Sequence, residues 1–450
     1  MNTTLTIPQT AAPQPSPADL ARLSLLLAGA IVVALAGILG GMQYVIIALA
    51  LGLAILVARK PKEAVPAGWL FMLAAMTLLP VTARLHYLDI QTEGIDWQQY
   101  FWAVGSLIVV SAALYRVGIS SLIRAPAPLK AFLLVAIASS VFGFSRGNEV
   151  SYVIRQLYGS ILFVFYFVIA RAAGDEELLF RRLKTIVPLV VFALFVYYVS
   201  VFSRFGFHKE DTSLTSQLGL VATFLFVKGV IERRSSWLVP SVVILAASIL
   251  FFFRHVFLGF LFAMALALGL QRTSRAGRLL CYGVAVLILL PSMFPSGAQY
   301  VVDTVEEKAP EIFGLLPEAT GTKNAASMVV RYAQLGSAAA ALIQSPVFGY
   351  GMGSNLSWFD PDEKYMEQPF VDNAWAYLIV KMGFAGILTF CWLLVTLLRC
   401  MSRRSLPISI CLLTIFLIGM FSEPLCFQFT TSPIAGALGG MLYAKKYPLN

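Results

Sequence analysis

Arg331-Tyr-Ala-Gln-Leu335, then Ser345-Pro-Val-Phe-Gly-Tyr-Gly-Met-Gly353, then Val371-Asp-Asn-Ala-Trp-Ala-Tyr-Leu378 is the stretch whose reading decides this fold. Gly383 and Gly386 follow soon after. These residues form the core of a segment from Pro295 to Asp372, the only long polar stretch in a chain otherwise made of apolar runs. A large loop clamped between hydrophobic spans, closed by a glycine-broken helix, is a place where a membrane enzyme keeps its chemistry. A pure channel has little use for one.

Working outward, the rest of the chain has the composition of a membrane protein. Hydrophobic residues make up 59% and charged residues 12%, far from a soluble domain. The apolar runs are long enough to cross roughly 30 Å of hydrocarbon as helix. Spans are predicted around Ala30, Ala50, Ala75, Leu107, Ala136, Phe163, Phe192, Thr223, Ala246, Ala265, Val286, Phe390, Phe416 and Ala437, about fourteen in all. The runs do not alternate in polarity, which excludes a β-barrel. The expected fold is therefore all-α, a polytopic integral membrane protein. Residues 1–21 read as a disordered cytoplasmic tail, 22–294 as the first eleven spans, 295–382 as the helical loop, and 383–450 as the last three spans.

Charge sets the orientation. Basic clusters stand at every second connection: Arg59, Lys60 and Lys62; Arg116, Arg124 and Lys130; Arg171, Arg181, Arg182 and Lys184; Lys228, Arg233 and Arg234; Arg272, Arg275 and Arg278; Arg399, Arg403 and Arg404; Lys445 and Lys446. The positive-inside rule puts these in the cytoplasm and the long loop outside. The net charge of +10 is then a topology signal and not a nucleic-acid footprint. The five cysteines show no metal-ligand spacing, and no disulfide is expected.

Inside the loop, Ala325 to Leu342 reads as a helix ended by Pro346. Gly349, Gly351 and Gly353 then allow sharp turns. A short helix from Asp372 to Met382 is expected to kink at Gly383. The glycine pattern follows a helix and not a strand, so it reads as a structural turn before a phosphate cradle.

The loop from Asp303 to Asp372 holds ten carboxylates against Lys308, Lys323, Lys364 and a single arginine, Arg331. Arg84, Arg146, Arg155, Arg204 and Arg254 occupy the rest of the outer half. Arg155 lies about one turn inside a span, and Arg254 sits between two phenylalanine runs. A guanidinium at membrane depth is costly and is either paired, snorkelling or functional. Its planar fork suits phosphate oxygens. A diphosphate at an outer membrane surface points to a polyprenyl-diphosphate carrier. Such chemistry needs cations for the leaving group and a base at the acceptor hydroxyl. Asp372, His255, His208, His86 and Glu423 are the outward candidates. His208 and His86 read as solvated, and Glu423 as an arginine partner.

The run from Arg331 through Ser345–Gly353 and Asp372–Leu378 to Gly386 resembles the signature region of the O-antigen ligase and O-antigen polymerase superfamily. The resemblance covers about a hundred residues closely and the remaining spans only in hydropathy. It implies a GT-C-like membrane glycosyltransferase of the bacterial inner membrane, with its site facing the periplasm and no metal or other cofactor. The implied substrates are an undecaprenyl-diphosphate-linked oligosaccharide donor and acceptor, presented from membrane lipid, with flippase and chain-length regulator proteins as partners. Arg331 matches the family's arginine on the loop helix, and Arg254 its arginine at the outer end of an earlier span.

The family's ligases carry a His-Asn pair where this chain has Asp372-Asn373. Aspartate accepts a proton from a hydroxyl and also caps helices well. The change favours a repeat-unit polymerase over a ligase. The expected site is Asp372, Arg331 and Arg254 as catalytic residues, with Arg155, His255, Tyr350, Asn373, Trp358 and Glu423 around the substrate. Trp375 reads equally as a sugar platform or an interface anchor. The alternatives are a ligase acting on lipid A-core or protein, and a lipid-linked oligosaccharide flippase. A transporter would place its charges near mid-membrane and show repeat symmetry.

Overall fold

A computed structural model describes residues 42–72, 97–185, 212–249, 254–270, 322–359, 365–368, 374–402, 405–422 and 431–448. The elements are α1 (Met42–Arg59), α2 (Trp97–Val117), α3 (Ser120–Ile123), α4 (Ala127–Ser145), α5 (Val150–Ala173), α6 (Thr212–Glu232), α7 (Ser235–Ile249) and α8 (Arg254–Leu270). Then come α9 (Thr322–Gln344), β1 (Leu356–Phe359), β2 (Tyr365–Gln368), α10 (Ala374–Leu398), α11 (Leu406–Ser422) and α12 (Ser432–Lys446). Ten predicted span centres fall on these helices. Ala30, Ala75, Phe192 and Val286, and the tail 1–21, lie outside the described residues. Three described helices, α4, α5 and α10, are long and apolar enough to cross a membrane. The count of fourteen spans remains an expectation.

The all-α expectation needs one correction. Within the loop, β1 and β2 pair antiparallel with Leu356 opposite Gln368 and Phe359 opposite Tyr365. The Phe359 and Tyr365 rings meet edge to face at 5.8 Å, and Asn355 Nδ2 donates to Glu367 Oε1 at 3.0 Å. Strands of four residues are too short to leave a period-two signature; cross-strand aromatic contact stabilises them.

Aromatic contacts tie the helices together. Phe132 of α4 meets Phe163 of α5 at 6.1 Å and Phe390 of α10 at 6.0 Å, and Phe390 meets Phe416 of α11 at 5.8 Å. α12 lies along α5 at close range. A side chain at Gly436 would collide with the Phe163 carbonyl, and one at Gly440 with the Phe167 carbonyl. Small residues four apart let two helices approach this closely.

Among the described residues, the basic connections gather at one end of the bundle. Glu63 accepts from Arg182 through both carboxylate oxygens, which raises the arginine's pKa further. Lys228 pairs with Glu177 at 3.0 Å and Glu232 at 2.6 Å. Lys445 pairs with Glu176, and Arg171 Nη1 donates to the Arg124 carbonyl at 2.6 Å. The glycine turn after α9 meets the C-terminus of α4 and the N-terminus of α5, the other end of the same helices. The 24 residues of α5 separate the two ends by about 36 Å.

Candidate active site

Ser345 closes α9 with its N–H on the Ala341 carbonyl at 2.9 Å, and Pro346 cannot extend the helix. The backbone then turns through Gly349, Gly351 and Gly353, all at positive φ. It is fastened to three helices in succession. Tyr350 N–H donates to the Val380 carbonyl of α10 at 2.7 Å, and Met352 N–H to the Ser139 carbonyl of α4 at 3.2 Å. Gly353 N–H donates to Gln156 Oε1 of α5 at 2.7 Å. Gly351 is doubly constrained. Its φ is 83°, and a Cβ there would stand 2.6 Å from the Gly143 nitrogen.

Helix α4 contributes a further fastening. Asn148 N–H returns to the Gly143 carbonyl at 3.1 Å, closing the helix end in a Schellman-type turn. The Asn148 amide then donates to the carbonyls of Tyr350 at 3.2 Å and Met352 at 2.9 Å. Beside it, the Arg146 guanidinium lies 4.7 Å from the Phe142 ring centre and 5.8 Å from that of Tyr350. Tyr350 donates its hydroxyl to Gln344 Oε1 at 2.6 Å.

Lys381 is completely buried in the first half of α10. Its Nζ donates to the Ser354 carbonyl and lies 3.5 Å from Ser354 Oγ. Ser354 Oγ in turn donates to the Gly351 carbonyl at 2.8 Å. No carboxylate pairs with Lys381 among the described residues. A lysine amine buried against neutral oxygens is costly to charge, and here it clamps the end of the turn to α10. Two residues on, Gly383 breaks α10 with φ 59° and ψ −154°. The break sends Phe384 N–H to the Pro346 carbonyl at 2.8 Å and Ala385 N–H to the Val347 carbonyl at 3.2 Å.

Tyr350 therefore lies in the turn, half-buried. Trp358 is in β1, buried, and its indole nitrogen has no hydrogen-bond partner among the described residues. Arg155 is exposed on α5, next to the Gln156 that holds Gly353. Arg331 is in α9, and helical spacing puts position 331 on the face that carries buried Gln334, Ala338 and Ala341. Arg254 and His255 open α8, which packs on α6 and α11. For Arg331, Arg254 and His255 the structure describes the backbone. Asp372, Asn373 and Glu423 lie outside the described residues; in the chain, the first two directly precede α10 and the last directly follows α11. So Tyr350 and Arg155 stand at the same end of the bundle, joined there by Arg146 and Lys381. The sequence reading gave Arg146 no role and did not single out Lys381, a lone charge in an apolar run. An isolated lysine has no motif to find it by.

No curated protein matches the chain. A family model does, over the segment that runs from the start of α7 across Arg254, α9, the glycine turn and Lys381 into α10. Residues 233–391 are similar to the O-antigen ligase family domain, Wzy_C.

Proposed function

We propose that this protein is a membrane glycosyltransferase that polymerises a polysaccharide from lipid-linked repeat units at the periplasmic face of the inner membrane. The observation that carries the reading is the match of residues 233–391 to the O-antigen ligase domain, a family of glycan-transferring enzymes. That segment encloses Arg254, Arg331 and Asp372. In the proposed reaction an acceptor hydroxyl attacks the anomeric carbon of the donor glycan. The sugar–phosphate bond breaks, and its electron pair leaves with undecaprenyl diphosphate. Arg331 and Arg254 bind the diphosphate oxygens and stabilise the charge that develops there. Arg155 and Arg146 add positive charge at the same end of the bundle. Asp372 takes the acceptor proton. A single displacement inverts the anomeric centre. Tyr350 offers a ring for a sugar, while His255, Asn373 and Glu423 orient the arginines and the acceptor.

A ligase reading shares every step but the acceptor, and the description of the matched family favours it. The Asp372-Asn373 pair, in place of the ligases' His-Asn, favours the polymerase. Glycan analysis of a deletion strain separates the two. Loss of the protein should leave single-repeat caps for a polymerase and unattached polymer for a ligase. An unchanged glycan in the deletion strain would reject both.

A further inference from the structure

The exposed apolar side chains of α10 lie on one face. Phe384, Leu388, Trp392, Val395 and Leu398 follow one another at helical spacing. On a helix that crosses a bilayer, such a stripe meets acyl chains. At its N-terminal end the stripe continues off the helix. Ile343 is 84% exposed and Val347 58%, and they belong to the end of α9 and its turn. The two backbone bonds from Phe384 and Ala385 to Pro346 and Val347 set them beside the first residue of the stripe.

Helix length leads to the same place. The part of α10 after Gly383, residues 384–398, spans about 22 Å, short of the roughly 30 Å of hydrocarbon. The remaining roughly 8 Å takes about five more residues, so the end of the first half of α10, from about Val380 on, lies in the hydrocarbon too, and the turn bonded to Val380, Phe384 and Ala385 reaches the same depth. That half is largely buried in protein, the condition under which a broken helix is tolerated at membrane depth. Part of the turn's polar backbone is satisfied within the protein. Pro346 has no N–H, and the carbonyls of Pro346, Val347 and Phe348 accept backbone hydrogen bonds.

We infer that the turn 343–348, which the sequence assigns to an extramembrane loop, is immersed in the nearer bilayer leaflet with Ile343 and Val347 against lipid acyl chains. Tyr350 then stands near headgroup level. A membrane-anchored donor would present its phosphates to the glycine turn at that depth. This last consequence rests on the proposed function; the immersion does not.

The test uses full-length protein with its five native cysteines replaced by serine. Spin labels are placed singly through Ile343→Cys, Val347→Cys, Phe384→Cys and Gln368→Cys. The protein is reconstituted in vesicles of phosphatidylethanolamine and phosphatidylglycerol. Collision rates are measured with oxygen, which concentrates in acyl chains, and with a water-soluble nickel chelate. All four side chains are exposed, so labelling leaves the core intact. The expected oxygen-to-nickel ratio at 343 and 347 equals that at 384 and exceeds that at 368 several-fold. A water-like ratio at 343 and 347 beside a lipid-like one at 384 would overturn the proposal while leaving the span in place. Low collision with both reagents would overturn it as well, because a second copy or another protein would then cover the patch. A water-like ratio at 384 would remove its foundation.

Discussion

Arg331 carries the diphosphate in the proposed reaction, and its chemistry is specific. Arg331→Ala should abolish polymer at normal protein level, measured by immunoblot and glycan gel. Arg331→Lys should recover little, because a point charge replaces a bidentate fork; full polymer from the alanine variant would reject the role. Asp372 is either base or cap, and Asp372→Asn separates these. Asparagine keeps an oxygen for backbone N–H groups but accepts no proton at neutral pH. Polymer output should fall by about two orders of magnitude, the scale of losing a general base, with the protein still in the membrane. Normal polymer would leave Asp372 as a cap only and make His255 the next residue to test. Arg331 and Asp372 are proposed from residue type and order alone. Lys381 could not be read that way, since its meaning depends on Ser354, 27 residues earlier in the chain. Lys381→Met fills the same space without the amine. It should weaken the clamp by about 0.5–1.5 kcal/mol, the net scale of a typical hydrogen bond, and lower the melting temperature in detergent. A raised melting temperature would show the buried amine to be a net cost.

Among the elements, the glycine turn is where reading the sequence worked best. Alternating glycines after a helix allow sharp turns, and the backbone takes positive φ at all three. The kink at Gly383 was legible for the same reason. What the pattern could not tell is why the glycines must stay small. Gly351 faces the backbone of α4, more than 200 residues earlier, which no local rule can place. Gly351→Ala should therefore disorder the turn, combining a strained φ of about 1–3 kcal/mol with a backbone clash. Gly336 of α9 is the control, because a Cβ there meets nothing within 4 Å. Gly336→Ala should be neutral or stabilising by up to about 1 kcal/mol. Protease sensitivity near the turn and polymer output read both; equal effects of the two alanines would dismiss the packing argument. The β1–β2 hairpin was missed outright, since its strands hold too few residues for periodicity to register.

For the molecule as a whole, orientation is the prediction on which the site depends. Reporter fusions after Arg278 and Arg404 should report cytoplasm, and fusions near Gly321 periplasm. A cytoplasmic signal at Gly321 would invert the molecule and remove the proposed site. The structure adds a physical reason to expect alternation, since basic connections scattered from Lys62 to Lys446 converge at one end of the bundle and the glycine turn sits at the other. By itself the sequence determined the class of the protein, the positions of most described helices, the polar segment and the glycine hinge. Those follow from properties local to a helix or a turn: apolar length, charge at span ends, and backbone freedom. Only the tertiary structure decided what the hinge is fastened to, which cations stand beside it, and that its apolar rim continues the exposed stripe of α10. Those are long-range facts. They depend on which helices pack side by side, and a chain of apolar spans leaves that choice to shape and to a few buried polar contacts such as Lys381 with Ser354.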